Sequence, residues 1–116
     1  MQDDHIADVA GAEQVWTTGG WAARFGLPFD EDATGYGQTA ADVAAVRAYA
    51  ALLTGYYDAV HSATLSYLET LTDEDLPRVV DERWDPPVTL GVRLVSVVND
   101  DTQHLGQAAY ARGLLG

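Results

Sequence analysis

The chain has 116 residues, with 6 basic and 18 acidic side chains and a formal net charge of −12. This length allows one domain with a single modest core. The charge argues against a nucleic-acid partner, since phosphate backbones bind faces rich in Lys and Arg. Cys is absent, which excludes disulfides, a thiolate nucleophile and a zinc–cysteine site.

Helical patterns cover most of the chain, beginning near its first residue. Residues 2–16 predict a first helix that Gly11 weakens, and residues 18–26 predict a second short helix that ends before Pro28. The stretch from 29 to 38 is acidic and contains glycine, so we expect a loop there.

The strongest helical pattern begins at Thr39, an N-cap candidate with Asp42 three residues later, and runs to about Leu71. Apolar positions recur there at alternating steps of three and four residues, which is typical of a helix packed in a bundle. They are Val43, Val46, Ala50, Leu53, Tyr57, Val60, Thr64, Tyr67 and Leu71. The sequence therefore predicts one long helix over 39–71.

The last helix is predicted over 89–115, after a turn at 72–75 and the Pro86–Pro87 pair. We find no internal repeat and no convincing strand pairing, so the sequence predicts a single all-α domain. No apolar run approaches the roughly 20 residues that cross a bilayer, and no signal sequence opens the chain. We therefore expect a cytoplasmic protein without membrane contact.

The predicted helices are too few to close a bundle. Two long helices and one or two short ones supply too little surface for a four-helix bundle in one chain. Residue 1 also lies inside a helix that has no visible start. We expect that the chain forms a homodimer that completes its core, that it is cut from something longer, or both.

Candidate site residues lie on the apolar face of the last helix. Asp100 precedes His104 by four residues, one helical turn, so their side chains converge on one point. A carboxylate facing a core is costly unless a cation or a hydrogen-bond partner offsets it. A shared divalent metal ion is the sharpest candidate for that partner. His5, on the first helix, is a further potential ligand.

Two readings without a metal remain open for these residues. The carboxylates at 100 and 101 have potential ion-pair partners in three arginines, Arg83, Arg93 and Arg112. In the second reading, a carboxylate orients His104 through a hydrogen bond, with no metal involved. The sequence does not separate these readings from metal binding.

The segment from Asn99 to Leu115, NDDTQHLGQAAYARGLL, resembles the final-helix signature of the DinB-like superfamily. Residues 3–11 are similar to the later part of that superfamily's second helix, and residues 84–91 to the approach to its last helix. The resemblance implies a four-helix bundle, often dimeric, that binds a divalent metal through three side chains. One ligand comes from the second helix and two, four residues apart, from the last.

Carried over by position, His104 matches the last-helix histidine. Asp100 stands where members commonly have His and sometimes Glu. Asp is therefore a departure from the family pattern, and its side chain is shorter. The family's first helix and the start of its second have no counterpart here, so we expect an N-terminally truncated member. A family histidine would then precede Met1, and His5 is either a substitute ligand or a neighbour of the site.

The resemblance also implies a function. Relatives include mycothiol-dependent isomerases such as maleylpyruvate isomerase, together with other thiol-dependent transferases. The resemblance predicts a zinc or nickel ion held by His104, Asp100 and His5. It also predicts a low-molecular-weight thiol as cosubstrate and a small-molecule substrate. The metal would activate the thiol, or water in a hydrolase. The alternative is a non-catalytic helical dimerisation module with a degraded metal site.

Overall fold

A computed structural model describes residues 1–116 and consists mainly of helices. The six α-helices are α1 (Gln2–Ala10), α2 (Val15–Thr18), α3 (Trp21–Phe25), α4 (Ala40–Ala45), α5 (Ala50–Leu68) and α6 (Leu90–Leu115). A 3-10 turn spans Asp73–Asp75, and two short strands, β1 (Val79–Asp81) and β2 (Val88–Thr89), pair antiparallel. The all-α class is confirmed. The two-stranded ribbon was not predicted, because strands of three and two residues are too short to show a recognisable alternation of apolar and polar side chains.

Helix α1 packs against both α5 and α6. Its buried side chains include Ile6, Ala7 and Val9. Val60 of α5, and Leu90 and Val97 of α6, are also buried, and Leu90 is fully buried. Because burial of such side chains supplies the main free energy of folding, α1 is the centre of the fold.

The first helix is shorter than predicted. It stops at Ala10 because Gly11 adopts a left-handed conformation, with φ 63°, and the next residue's N–H bonds back to the carbonyl of Ala7. This is a glycine-terminated helix end, in which the chain turns away from the helix axis. The residues after it begin a separate short helix, α2.

The buried carboxylate of Asp3 fixes the position of α2. Its two oxygens accept the backbone N–H groups of Val15 and Trp16, each at 2.8 Å, which are donors with no partner inside the short helix. One oxygen also accepts the hydroxyl of Tyr56 at 2.7 Å. Burial, and then the bond to Asp3, raise the pKa of Tyr56 far above its ordinary value. Asp3 therefore joins α1, α2 and α5.

An aromatic cluster covers the other side of this junction. Trp16 and Phe25 lie with ring centroids 5.1 Å apart, and Tyr56 contacts Trp16, Trp21 and Phe25 at 5.3 to 5.9 Å. Trp21 is buried, and its ring passes close to Gly55 on α5. Glycine at this position allows the indole to approach the helix backbone.

The prediction of one helix over 39–71 is wrong in one respect. Thr39 and Asp42 form the expected capping box, but helix α4 ends at Val46, whose ψ of 119° is extended, and α5 starts after Tyr49. Val43 and Val46 are exposed, so no packed face holds the two helices in register. Helices in proteins draw most of their stability from such packing, and here it begins only in α5.

Helix α6 begins where predicted, with the side chain of Thr89 accepting from the N–H of Val92. Its first half packs against α1 and the ribbon, and Leu90 and Val97 are buried. From Asp101 to its end, every residue of the helix is exposed. None of the helices is long and apolar enough to span a membrane.

Candidate metal-binding pair on the last helix

The side chains of Asp100 and His104 meet across one turn of α6. Nε2 of His104 lies 3.5 Å from Oδ2 of Asp100. That oxygen is inaccessible to solvent and has no hydrogen-bond partner. An unpaired buried carboxylate oxygen is costly, and such an atom indicates a site suited to a cation.

The distance between these two atoms suits a shared ion. Zinc binds nitrogen and carboxylate oxygen at about 2.0 to 2.2 Å in a tetrahedral arrangement, which places two ligand atoms about 3.4 Å apart. The imidazole and carboxylate donor set is also one that divalent transition metals accept. Asp100 and His104 therefore fit two positions of a metal site.

The pair is more open to solvent than predicted. The sequence pattern placed both side chains toward a core, but the side chain of His104 is 63% exposed and that of Asp100 is 31% exposed. No element of the chain packs on α6 beyond Asp100, so the inward-facing side of the helix remains bare there.

His5 lies on α1 against a different part of α6. Its Nδ1 is 3.3 Å from Nη1 of Arg93, and its Nε2 is 4.0 Å from a carboxylate oxygen of Asp4. Arginine can only donate, so Nδ1 accepts and the proton of the neutral ring lies on Nε2, facing Asp4. His5 is thus held by Arg93 in the arrangement seen.

The three predicted ligands are not gathered at one point. No three His, Asp or Glu side chains lie close enough together to surround an ion. The structure brings Asp100 and His104 together and places His5 beside Arg93. His61, the remaining histidine, is exposed on α5 and stacks on Tyr57 with the rings 5.7 Å apart and nearly parallel.

Asp81 organises the environment of Arg93, and sequence reasoning missed it. The guanidinium of Arg83 donates two hydrogen bonds of 2.9 Å to its oxygens, the N–H of Arg83 adds one of 3.0 Å, and Arg93 adds another of 3.0 Å. The bonds from Arg83, and then the charges of both arginines, hold the pKa of this buried carboxyl well below its ordinary value. The only available signal was the arginine two residues later.

This cluster removes two of the ion-pair partners considered for Asp100. Arg83 and Arg93 both bind Asp81 instead. The third, Arg112, forms no ion pair with Asp100 or Asp101. Among the histidines and arginines, only His104 lies within ion-pair distance of the Asp100 carboxylate.

The mainly helical fold is of the DinB-like class. A family model described as mycothiol-S-transferase matches residues 4–116. The chain belongs to the mycothiol-S-transferase family.

A crystal structure of a conserved protein from Enterococcus faecalis is 35% identical, with a TM-score of 0.88, over 96% of this chain and 66% of that one. The chain thus spans just under two thirds of that protein's length. No curated protein matches it.

Proposed function

We propose that this chain is a thiol-dependent S-transferase in which Asp100 and His104 hold a divalent metal ion, zinc or nickel. Family membership over residues 4–116 supports the thiol chemistry. The observation that carries the metal is the unpartnered, buried Oδ2 of Asp100, 3.5 Å from Nε2 of His104.

The reaction proposed is the transfer of a small-molecule group to the sulfur of mycothiol or a similar thiol. The thiol gives up its proton to solvent, its sulfur forms a bond to an electrophilic carbon, and the leaving group departs with the bonding electron pair. A bound divalent cation would lower the pKa of the thiol, or of water in a related hydrolase. Asp100 contributes the negative charge and His104 the neutral nitrogen that fix such a cation.

His5 remains our candidate for the third ligand, because α1 packs along α6. Binding an ion through Nε2 would move the ring proton to Nδ1, which then no longer accepts from Arg93. Arg93 would have to release His5, while its bond to Asp81 holds the guanidinium in place. Use of His5 therefore requires a local rearrangement at this pair.

A thiol-conjugation assay tests the proposed activity. The purified chain is given mycothiol and an electrophilic small molecule, before and after treatment with a chelator and after readdition of Zn²⁺ or Ni²⁺. We expect conjugation that the chelator abolishes and one of the metals restores. His104→Ala and Asp100→Ala abolish it, whereas His61→Ala, which changes an exposed histidine on another helix, retains it. Equal rates in all four proteins would refute the proposal.

A second candidate is a helical module without catalysis, and the position of His5 favours it. His5 faces Arg93 rather than the Asp100–His104 pair, so the chain shows only two ligands together. The two candidates differ in their response to metal. Binding to the folded state alone stabilises by about 2.7 kcal/mol at 100 times the dissociation constant. A melting temperature that does not change with Zn²⁺ or Ni²⁺ supports the non-catalytic module.

A further inference from the structure

The imidazole of His5 has a neighbour at each of its two ring nitrogens. Nδ1 lies 3.3 Å from Nη1 of Arg93, and Nε2 lies 4.0 Å from Oδ2 of Asp4. The ring is mostly buried, on the helix α1 that packs along α6. Because a guanidinium only donates, the lone pair of the neutral ring is at Nδ1 and is already used by Arg93.

A histidine that binds a metal needs the opposite arrangement. One ring nitrogen gives its lone pair to the ion, and the other usually donates its proton to a carboxylate, a backbone carbonyl or water. Binding of an ion through Nδ1 of His5 would displace Arg93. Binding through Nε2 would place a proton on Nδ1, opposite a guanidinium that cannot accept it. Neither nitrogen is therefore available to an ion while Arg93 stays in place.

Asp81 makes the position of Arg93 costly to change. Nη2 of Arg93 donates to Oδ2 of Asp81 at 3.0 Å, and both side chains are mostly buried. Arg93 is the only arginine of the chain that is not exposed. Its Nε is inaccessible to solvent and has no hydrogen-bond partner. A buried guanidinium depends on the few acceptors that it has, so the loss of either His5 or Asp81 as acceptor is unfavourable.

We infer that Arg93 is a positioning residue that lowers the metal affinity of the proposed site by holding His5 away from it. The inference rests on the proposed function, because it takes His5 as the third ligand beside Asp100 and His104. With Arg93 bound to His5, the chain offers an ion two ligands, and after its release it offers three. The apparent affinity is then reduced in proportion to the small fraction of molecules in which His5 is free.

The dissociation constant for Zn²⁺, measured by competition with a chromophoric chelator, tests this role. Arg93→Met removes the donors to His5 and keeps a long side chain, while Asp81 retains its three bonds from Arg83. Arg83→Met is the matched control, because it removes the same charge from the same carboxylate without a contact to His5. We expect Arg93→Met to bind Zn²⁺ at least about tenfold more tightly than the unchanged chain, and Arg83→Met to bind it equally.

Loss of a positive charge also favours a bound cation, and the His5→Ala background separates that effect from positioning. A gain that acts through His5 disappears when Arg93→Met is added to His5→Ala, whereas a gain due to charge remains. We expect it to disappear. Equal affinity of Arg93→Met and the unchanged chain, or a gain that persists without His5, overturns this inference alone. Absence of Zn²⁺ binding in every one of these proteins overturns the proposed function and the inference with it.

A measurement on the unchanged chain covers the case in which Arg93→Met does not fold. The nitrogen NMR resonances of the histidine rings, recorded without metal at a pH where the rings are neutral, report which nitrogen carries the proton. We expect His5 to carry its proton on Nε2 alone and exposed His61 to average over both tautomers. His5→Ala assigns the signals. Averaging at His5 like that at His61 shows that Arg93 does not hold the ring, and the inference fails.

Discussion

The hydroxyl of Tyr56 donates a hydrogen bond of 2.7 Å to Oδ2 of Asp3 and so joins α5 to α1. The same carboxylate accepts the first free N–H groups of α2. A side chain near the start of the chain thus positions three helices. It also leaves the aromatic rings of Trp16 and Tyr56 in contact, at 5.3 Å.

Replacing Asp3 tests this junction. Asp3→Ala leaves three partly buried donors without an acceptor, and we expect a loss of about 3 kcal/mol in the free energy of unfolding. Tyr56→Phe removes one donor and keeps the ring, at a cost of about 1.5 kcal/mol. Urea denaturation at one protein concentration measures both. Asp8→Ala, an exposed change on the same helix, should alter stability by less than about 0.5 kcal/mol.

The ion pairs of Asp81 with Arg83 and Arg93 should make the stability of the chain depend on pH. Arg83 and Arg93 lower the pKa of Asp81 in the folded chain. The stabilisation that the ionised carboxylate supplies is therefore fully present above its pKa in the unfolded chain, about 3.9. The contribution is lost as the pH falls from there toward the lower folded value. The stability difference between the unchanged chain and Asp81→Asn should therefore be constant near neutral pH and shrink below about pH 4. Asp85→Asn, an exposed change, serves as control. A difference that stays constant down to pH 2 contradicts this account.

Alanine substitution should change stability in opposite directions at two glycines on the long helices. A Cβ at Gly55 would lie 3.0 Å from the ring of Trp21, which is buried and held by Tyr56. The crowding exceeds the gain in helix propensity, and we expect Gly55→Ala to destabilise by about 1 kcal/mol. At Gly106 nothing lies within 4 Å, so Gly106→Ala should stabilise by about 0.5 to 1 kcal/mol. Thermal denaturation distinguishes the two signs.

The sequence allowed much of the fold to be predicted, because its strongest signals are local. The cap at Thr39, the start of α6 after Thr89, and the helical periodicity of α5 all depend on residues within a few positions. The break at Val46–Tyr49 was missed because it depends on which faces find a partner in space. A periodic pattern alone does not report that.

Only one contact of the candidate site follows from local spacing. The Asp100–His104 contact follows from helical spacing and is present. The partnership of His5 with Arg93 joins residues 88 positions apart, and no local pattern indicates it. The role of Asp81 also arises from tertiary contact, since Arg93 reaches it from another element. Contacts of this kind require the folded arrangement.

Metal content tests the central proposal most directly. The chain, purified without chelator, and two variants are analysed for zinc and nickel by elemental analysis after dialysis against metal-free buffer. We predict close to one ion per chain for the unchanged protein and for His61→Ala, and almost none for His104→Ala. Equal metal content in His104→Ala and His61→Ala would contradict the assignment of the ion to the Asp100–His104 pair.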